Sequence, residues 1–158
     1  MAHITIEYVI MVPILIMQII LFPITANWLM TVWVDSRRTL ALKEATSNLG
    51  SAILQLYFSL NHTSIETGEV TYTPKLPPFI ENYHYVGNAT LRTVDASPDS
   101  SKVLDLTLTL VPTSITTTTS VILGSNVVWQ ESVFVSNSTN AYVIANKTDE
   151  IVVLAFGG

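Results

Sequence analysis

The sequence predicts an α+β fold in which one long N-terminal helix precedes a small domain of antiparallel β-strands. The 27 consecutive residues from Tyr8 to Val34 contain no charged side chain. An apolar stripe at helical spacing follows them without a turn signal. Beyond about Ser64, the pattern changes to short alternating segments separated by Pro, Gly and Asn.

The first half of the predicted helix, from Ile4 to Val34, is apolar on all sides and exceeds the roughly 20 residues that a membrane span needs. Pro13 and Pro23 each remove a backbone hydrogen bond, so we expect a kink or local unwinding before each of them. Lipid cannot satisfy the freed carbonyls, and the prolines therefore indicate neighbouring protein. Trp28 and Trp33 are expected to mark a membrane interface.

The second half of the helix carries a single apolar face. Its members recur at spacings of three and four: Leu42, Ala45, Leu49, Ala52, Ile53, Leu56 and Leu60. The helix is expected to end near Asn61, where polar residues begin. A helix from Ile4 to Leu60 would be roughly 85 Å long, far more than one bilayer requires.

Seven strands are predicted after the helix, and alternation such as Leu104, Leu106, Leu108 and Leu110 indicates one buried face. They predict an antiparallel β-sandwich, Ig-like or Greek-key, with Thr and Ser on its outer faces, most densely at Thr116 to Ser120. We therefore expect a helical domain over 1–62 and a β-rich surface domain over 63–158. The predicted strands are Glu69–Thr73, Tyr83–Val94, Val103–Val111, Ser114–Leu123, Val127–Val135, Ala141–Ala145 and Glu150–Phe156.

Composition excludes several classes of function. The chain is 49% hydrophobic and 12% charged with a net charge of −5, which is typical of membrane or assembly proteins and offers no basic stripe to nucleic acid. The absence of cysteine excludes disulfides and thiolate metal sites. The apolar run lacks a basic leader and an A-x-A site, so we expect it to be retained rather than cleaved as a signal peptide.

Catalytic and metal-binding motifs are not found. His3, His62 and His84 lack the spacing of a metal site, and no G-x-S-x-G elbow occurs. Asp95 and Asp99 flank a proline in a pattern that fits a solvated turn better than a calcium loop. We therefore expect no enzyme activity, no cofactor and no metal, and a secreted hydrolase is disfavoured.

Four Asn-x-Ser/Thr triplets lie beyond the apolar run, at Asn61, Asn88, Asn137 and Asn146. Their surface-turn contexts predict N-linked glycans, which would place the β-domain outside the cell.

Glu7 lies at the start of the apolar run, where a buried carboxylate is costly. It either reaches the membrane surface or is buried in an assembly beside a positive group such as a neighbouring chain's α-amino terminus.

The N-terminal pattern resembles the type IV pilin superfamily. It combines the short start Ala2-His3-Ile4-Thr5-Ile6, the acidic Glu7 and an apolar helix containing prolines. The run from Glu7 to Pro13 resembles the opening of TadE-like pilins, and the cysteine-free, Thr/Ser-rich β-domain with sequons resembles archaeal pilins. Cleavage between Ala2 and His3 by a prepilin peptidase would make Glu7 the fifth residue of the mature chain.

The resemblance implies a structural function, as the repeating subunit of an extracellular archaeal type IV pilus-like filament that serves adhesion or cell contact. The subunit would be stored in the membrane and then polymerised by an assembly ATPase and a membrane platform. Contacts between copies are expected at Glu7, Pro13, Leu15, Gln18, Pro23, Trp28, Trp33, Leu42, Leu49 and Leu56. The alternative is a non-polymeric, single-pass membrane-anchored surface protein whose β-sandwich binds a ligand.

Overall fold

The described part of the chain contains one long helix and eight strands. The computed structural model describes residues 2–95 and 100–157, with only the backbone described for residues 2–8. Helix α1 spans Ala2–Leu60, so the predicted end of the helix is confirmed. The strands are β1 Thr67–Tyr72, β2 Tyr85–Thr93, β3 Lys102–Leu110, β4 Thr116–Leu123, β5 Val127–Trp129, β6 Val133–Val135, β7 Tyr142–Thr148 and β8 Ile151–Gly157.

The chain divides into two compact units, Met1–Arg37 and Arg38–Gly158. This division falls earlier than the boundary expected from the sequence, after residue 62. The second half of α1 belongs with the strands because its apolar stripe lies in their hydrophobic core.

In the first unit, α1 remains helical through both Pro13 and Pro23, so the expected local unwinding does not occur. The hydroxyl of Thr25 donates to the carbonyls of Leu21 and Phe22, and that of Thr31 donates to the carbonyl of Asn27. These hydroxyls are therefore satisfied within the helix and need no solvent. α1 is long and apolar enough to cross a membrane.

In the second unit, two four-stranded sheets form a β-sandwich, which confirms the predicted α+β class. One sheet has the order β1-β7-β8-β5 and the other β4-β3-β2-β6. All strand pairs are antiparallel except β5 with β8, which are parallel. The predicted alternation in β3 is confirmed, because its four leucines are fully buried and the residues between them face outward.

The strand predicted over Val127–Val135 is two strands in different sheets. Val127 to Trp129 pair with β8, whereas Val133 to Val135 pair with β2. Residues 130–132 carry the chain from one sheet to the other. The crossing joins the two sheets along one side of the sandwich.

The second half of α1 packs at the opposite edges of the sheets, against β4 and β1. The Thr46 hydroxyl lies 2.7 Å from that of Thr117 in β4. A Cβ added at Gly50 would come within 3.1 Å of a Val121 methyl group, so the glycine permits close packing of helix and strand. A Leu60 methyl group lies near Gly68 of β1.

Two predictions from the sequence are wrong in this region. Leu42, Leu49 and Leu56 are at most 5% exposed and belong to the chain's own core, so they cannot contact other copies as expected. The run Thr116 to Ser120 does not lie wholly on an outer face, because every second residue of β4 faces inward. Thr117 and Thr119 face the helix instead.

Candidate assembly surface

The surface that the fold leaves uncovered is the part of α1 from Val9 to Trp33, here called the assembly surface. Its apolar side chains are exposed around the whole helix, as shown by Leu15 at 55%, Phe22 at 75% and Trp28 at 66%. A helix that is apolar on every side is stable only inside a larger protein assembly or in lipid. The assembly surface therefore requires a cover that the chain does not provide.

The area of the chain supports the same conclusion. The accessible surface is 10454 Å², whereas folded monomers of 17.4 kDa expose about 7,900 Å². The excess of roughly 2,500 Å² on this one chain is larger than the roughly 800 Å² that each partner buries in an interface of standard size.

The assembly surface also carries polar groups without partners. Within the part of the chain that the structure describes, the exposed side-chain amides of Gln18 and Asn27 make no hydrogen bond, unlike the hydroxyls of Thr25 and Thr31. Pro13 and Pro23 have no N–H for the carbonyls four residues earlier. Lipid tails cannot satisfy such groups, but the polar side chains of a neighbouring helix can.

A groove of about 580 Å³ lies on this surface. It is lined by Leu15, Gln18, Ile19, Leu21, Phe22 and Thr25. The lining is mostly apolar, with the Gln18 amide as its main polar group. Apolar side chains of a neighbouring helix fit such a groove, provided that one of them or a backbone group meets the amide.

The residues predicted from the sequence to contact other copies fall into three sets. Six lie exposed on the assembly surface: Pro13, Leu15, Gln18, Pro23, Trp28 and Trp33. Leu42, Leu49 and Leu56 lie in the intramolecular core. The third set is Glu7 alone, whose side chain is outside the described part of the structure, as are those of Ala2 and His3 at the predicted processing site.

Charged contacts at the end of the assembly surface were not foreseen from the sequence. The Arg37 guanidinium lies 5.1 Å from the centroid of the Trp33 ring. Arg38 instead pairs with Glu81 at 2.7 Å and lies 5.0 Å from the Tyr83 ring. The i, i+4 spacing of Trp33 and Arg37 is the one signal that would have predicted their contact.

The four sequons are all exposed but differ in context. Asn137 lies in the turn after β6, whereas Asn88 and Asn146 lie within β2 and β7 rather than in turns. The Asn61 amide nitrogen donates to the Tyr57 hydroxyl at 2.8 Å, and its carbonyl oxygen accepts from the Asn126 amide at 2.8 Å. Asn61 therefore already has a structural role at the end of the helix.

A cleft of about 570 Å³ lies beside the C-terminus of α1. Lys147, at 6% exposure, donates from Nζ to the carbonyl of His62 at 3.1 Å. This contact places a positive charge at the helix C-terminus, where the backbone dipole favours it. Among the side chains that the structure describes, those of residues 9–95 and 100–157, no group of three or more His, Asp or Glu residues is arranged to hold a metal ion.

The outer face of the second sheet carries one ion pair. Asp105 accepts hydrogen bonds from Arg92 and from the Ser120 hydroxyl. These bonds lower the pKa of the Asp105 carboxyl from its ordinary value.

In the core, burial raises the pKa of Tyr85 to about 12, and its hydroxyl donates to the carbonyl of Pro77 at 2.8 Å.

Comparison with known proteins finds no match. No protein-family model matches the chain, and neither a curated protein nor a solved structure is significantly similar to it.

Proposed function

We propose that this chain is the structural subunit of an extracellular filament of the archaeal type IV pilus kind. In this filament, the assembly surfaces of many copies bundle into an apolar core and the β-sandwiches form the outer coat. The observation that carries the proposal is the assembly surface itself, which is apolar all round yet contains unpartnered amides. Adhesion or contact between cells would be the task of the coat, with N-linked glycans as part of its surface.

The competing function is that of a membrane-anchored binding protein that does not polymerise. One argument against the anchored protein is that a single membrane span does not need so long a helix. The packing of residues 38–60 into the chain's own core weakens this argument, because it accounts for most of the excess helix length within the chain. Two features still favour the filament. If the helix crossed the membrane alone, the side-chain amides of Gln18 and Asn27 would be exposed to lipid. The backbone carbonyls that Pro13 and Pro23 leave without an N–H partner would be exposed to lipid as well.

Assembly in this proposal begins from the membrane. The apolar helix would hold the subunit in the bilayer after a prepilin peptidase has cut between Ala2 and His3. An assembly ATPase and a membrane platform would then transfer it to the growing filament. In the filament, Glu7 would pair with the α-amino terminus of a neighbouring chain, since an unpaired carboxylate in an apolar bundle is costly.

Electron microscopy of filaments isolated from the cell surface, with density that identifies the side chains, tests the proposal. Fibres built from this chain would support it. Uniform single particles would instead establish the anchored protein.

A substitution tests the role of the assembly surface. Leu15→Asp is expected to abolish polymerisation, because a carboxylate would enter a dry bundle at a cost of several kcal/mol. Ile122→Asp, at a 69% exposed position of β4, introduces the same charge outside the assembly surface and should leave filament yield unchanged. Normal filament yield from Leu15→Asp would contradict the proposed core.

A second substitution tests the pairing of Glu7. Glu7→Ala is expected to reduce assembly strongly while circular dichroism of the β-sandwich stays the same, because the residue lies far along the chain from the strands. Glu7→Gln keeps the size of the side chain and removes only its charge. Filaments of normal yield from both variants would refute a charge pair.

A further inference from the structure

The contact between Trp33 and Arg37 lies where the uncharged run ends. Trp33 is 55% exposed, and the guanidinium of Arg37 is positioned over its ring. Such a contact is attractive and holds the long Arg side chain along the helix. The pair therefore presents an amphipathic ring and a fixed positive charge side by side.

Arg37 differs from the next basic residue. Arg38 is engaged by Glu81 and by the ring of Tyr83. Arg37 is exposed, and its guanidinium makes its contact with an uncharged ring. Its positive charge is thus available to an anion outside the chain.

We infer that Trp33 and Arg37 form an interfacial anchor that binds the phosphates of lipid headgroups and sets the depth of α1 in the bilayer. This inference rests on the membrane-stored state of the proposed function. Trp rings favour the boundary between headgroups and hydrocarbon, and an Arg beyond that boundary can bind a phosphate with two parallel hydrogen bonds.

The length of the apolar run explains why an anchor is needed. The 27 uncharged residues from Tyr8 to Val34 span about 40 Å as a helix, roughly 10 Å more than the hydrocarbon core. The run alone therefore permits several depths. With Trp28 at the boundary, Arg37 would lie about 13 Å outside it and lose the phosphates.

With Trp33 at the boundary, the depth of the rest of the helix follows. Pro13, 20 residues earlier, would lie about 30 Å away at the opposite boundary. Residue 7 would then lie roughly 9 Å beyond Pro13, within the opposite headgroup layer. The Glu7 carboxylate would need no partner in the stored subunit and would need one only after assembly begins.

The depth can be measured by labelling single cysteines, because the natural chain contains none. The full chain is reconstituted in vesicles of phosphatidylcholine and phosphatidylglycerol and treated with a membrane-impermeant maleimide. Labelling is normalised to the value after detergent solubilisation, which corrects for chains facing the lumen. We expect Ser36→Cys to react and Thr31→Cys and Thr25→Cys to be protected.

The role of Arg37 is tested by adding a second substitution to Ser36→Cys. Arg37→Gln should let the helix slide inward by about one turn, roughly 5 Å, and strongly reduce the labelling at position 36. Arg37→Lys keeps the charge and should retain most of the labelling. Arg92→Gln, which removes an exposed charge from β2 in the second unit, should change nothing, and neither should inorganic phosphate in the buffer.

Three results would overturn the inference: protection of Ser36→Cys without further substitution, equal labelling at positions 31 and 36, or full labelling at position 36 in the Arg37→Gln variant. None of them concerns filament formation, which is judged by microscopy. Failure of the anchor and failure of the filament proposal are therefore distinguishable.

Discussion

Asp105 illustrates how single polar residues serve the outer face of the sandwich. Its carboxylate accepts hydrogen bonds from Arg92 in β2 and Ser120 in β4, and it thereby links three neighbouring strands. Both donors favour the charged form, which is why the pKa of the carboxyl is lowered. The Arg92 side chain is 59% exposed and that of Asp105 is 24% exposed, so water screens the pair and its contribution to stability is small.

The lowered pKa predicts a pH dependence with a definite sign. Asp105 stabilises the fold at pH values above its unfolded pKa, and this contribution disappears as the pH falls through the lower folded pKa. Asp105→Asn should therefore lower the denaturation midpoint slightly at pH 7 and make almost no difference in strong acid. Chemical denaturation of both proteins at several pH values provides the measurement.

Arg92→Gln is the matching control, because it removes the largest cause of the lowered pKa. It should abolish most of the same pH dependence. A destabilisation by Asp105→Asn that persists undiminished in strong acid would show that the residue acts through packing rather than charge.

At the scale of elements, α1 is one helix with two different surroundings. From Val9 to Trp33 its apolar residues are exposed, and from Leu42 onward the apolar stripe is buried against strands of the same chain. The sequence distinguishes the two parts by pattern, because a helix covered on one face needs only a stripe and a helix covered on all sides needs apolar residues throughout.

The difference between the two surroundings can be tested with one substitution at two positions. Leu49→Ala should lower the free energy of unfolding by about 2–5 kcal/mol, because it leaves a cavity in the core at a fully buried site. Leu40→Ala, at a 65% exposed site of the same helix, should change it by less than about 0.5 kcal/mol. Similar losses at both positions would contradict the packing described for α1.

The alternation of β3 and the apolar stripe of α1 were sufficient to predict these elements and their buried faces. Two features could not be predicted in this way. A stripe shows that a face is buried but not what covers it, so Leu42, Leu49 and Leu56 were assigned to the wrong partner. The run from Val127 to Val135 reads as one strand because β-propensity does not record which sheet each residue joins.

The exposure of the assembly surface agrees with its pattern in the sequence, whereas its contacts with other copies stay a prediction. Exposed Pro13, Leu15, Gln18, Pro23, Trp28 and Trp33 all follow from the uncharged run. The Trp33–Arg37 contact and the Asn61 network required side-chain positions, which residue spacing suggests but does not determine.

At the scale of the whole molecule, the unit boundary at residue 37 makes a prediction about independent folding. A fragment of residues 38–158 should fold as a soluble monomer with a cooperative thermal transition, because it retains the helix stripe and both sheets. A fragment of residues 63–158 should aggregate or remain unfolded, since it loses the stripe and exposes the apolar residues that the stripe covers.

Size-exclusion chromatography with light scattering, together with circular dichroism, compares the two fragments. A folded, monomeric 63–158 fragment would show that α1 is not part of the core. Aggregation of the 38–158 fragment would show that the first 37 residues are needed for folding.

The insertion of α1 into the core also has a mechanical consequence. A pull on the N-terminal segment is transmitted along an unbroken helix to Thr46, Leu49 and Gly50, which pack against β4 or lie in the core. The residues that join the apolar segment to the buried stripe are all helical. In the proposed filament, tension would act directly on the hydrophobic core of each subunit, and the force needed to detach a coat domain would be the force that unfolds it.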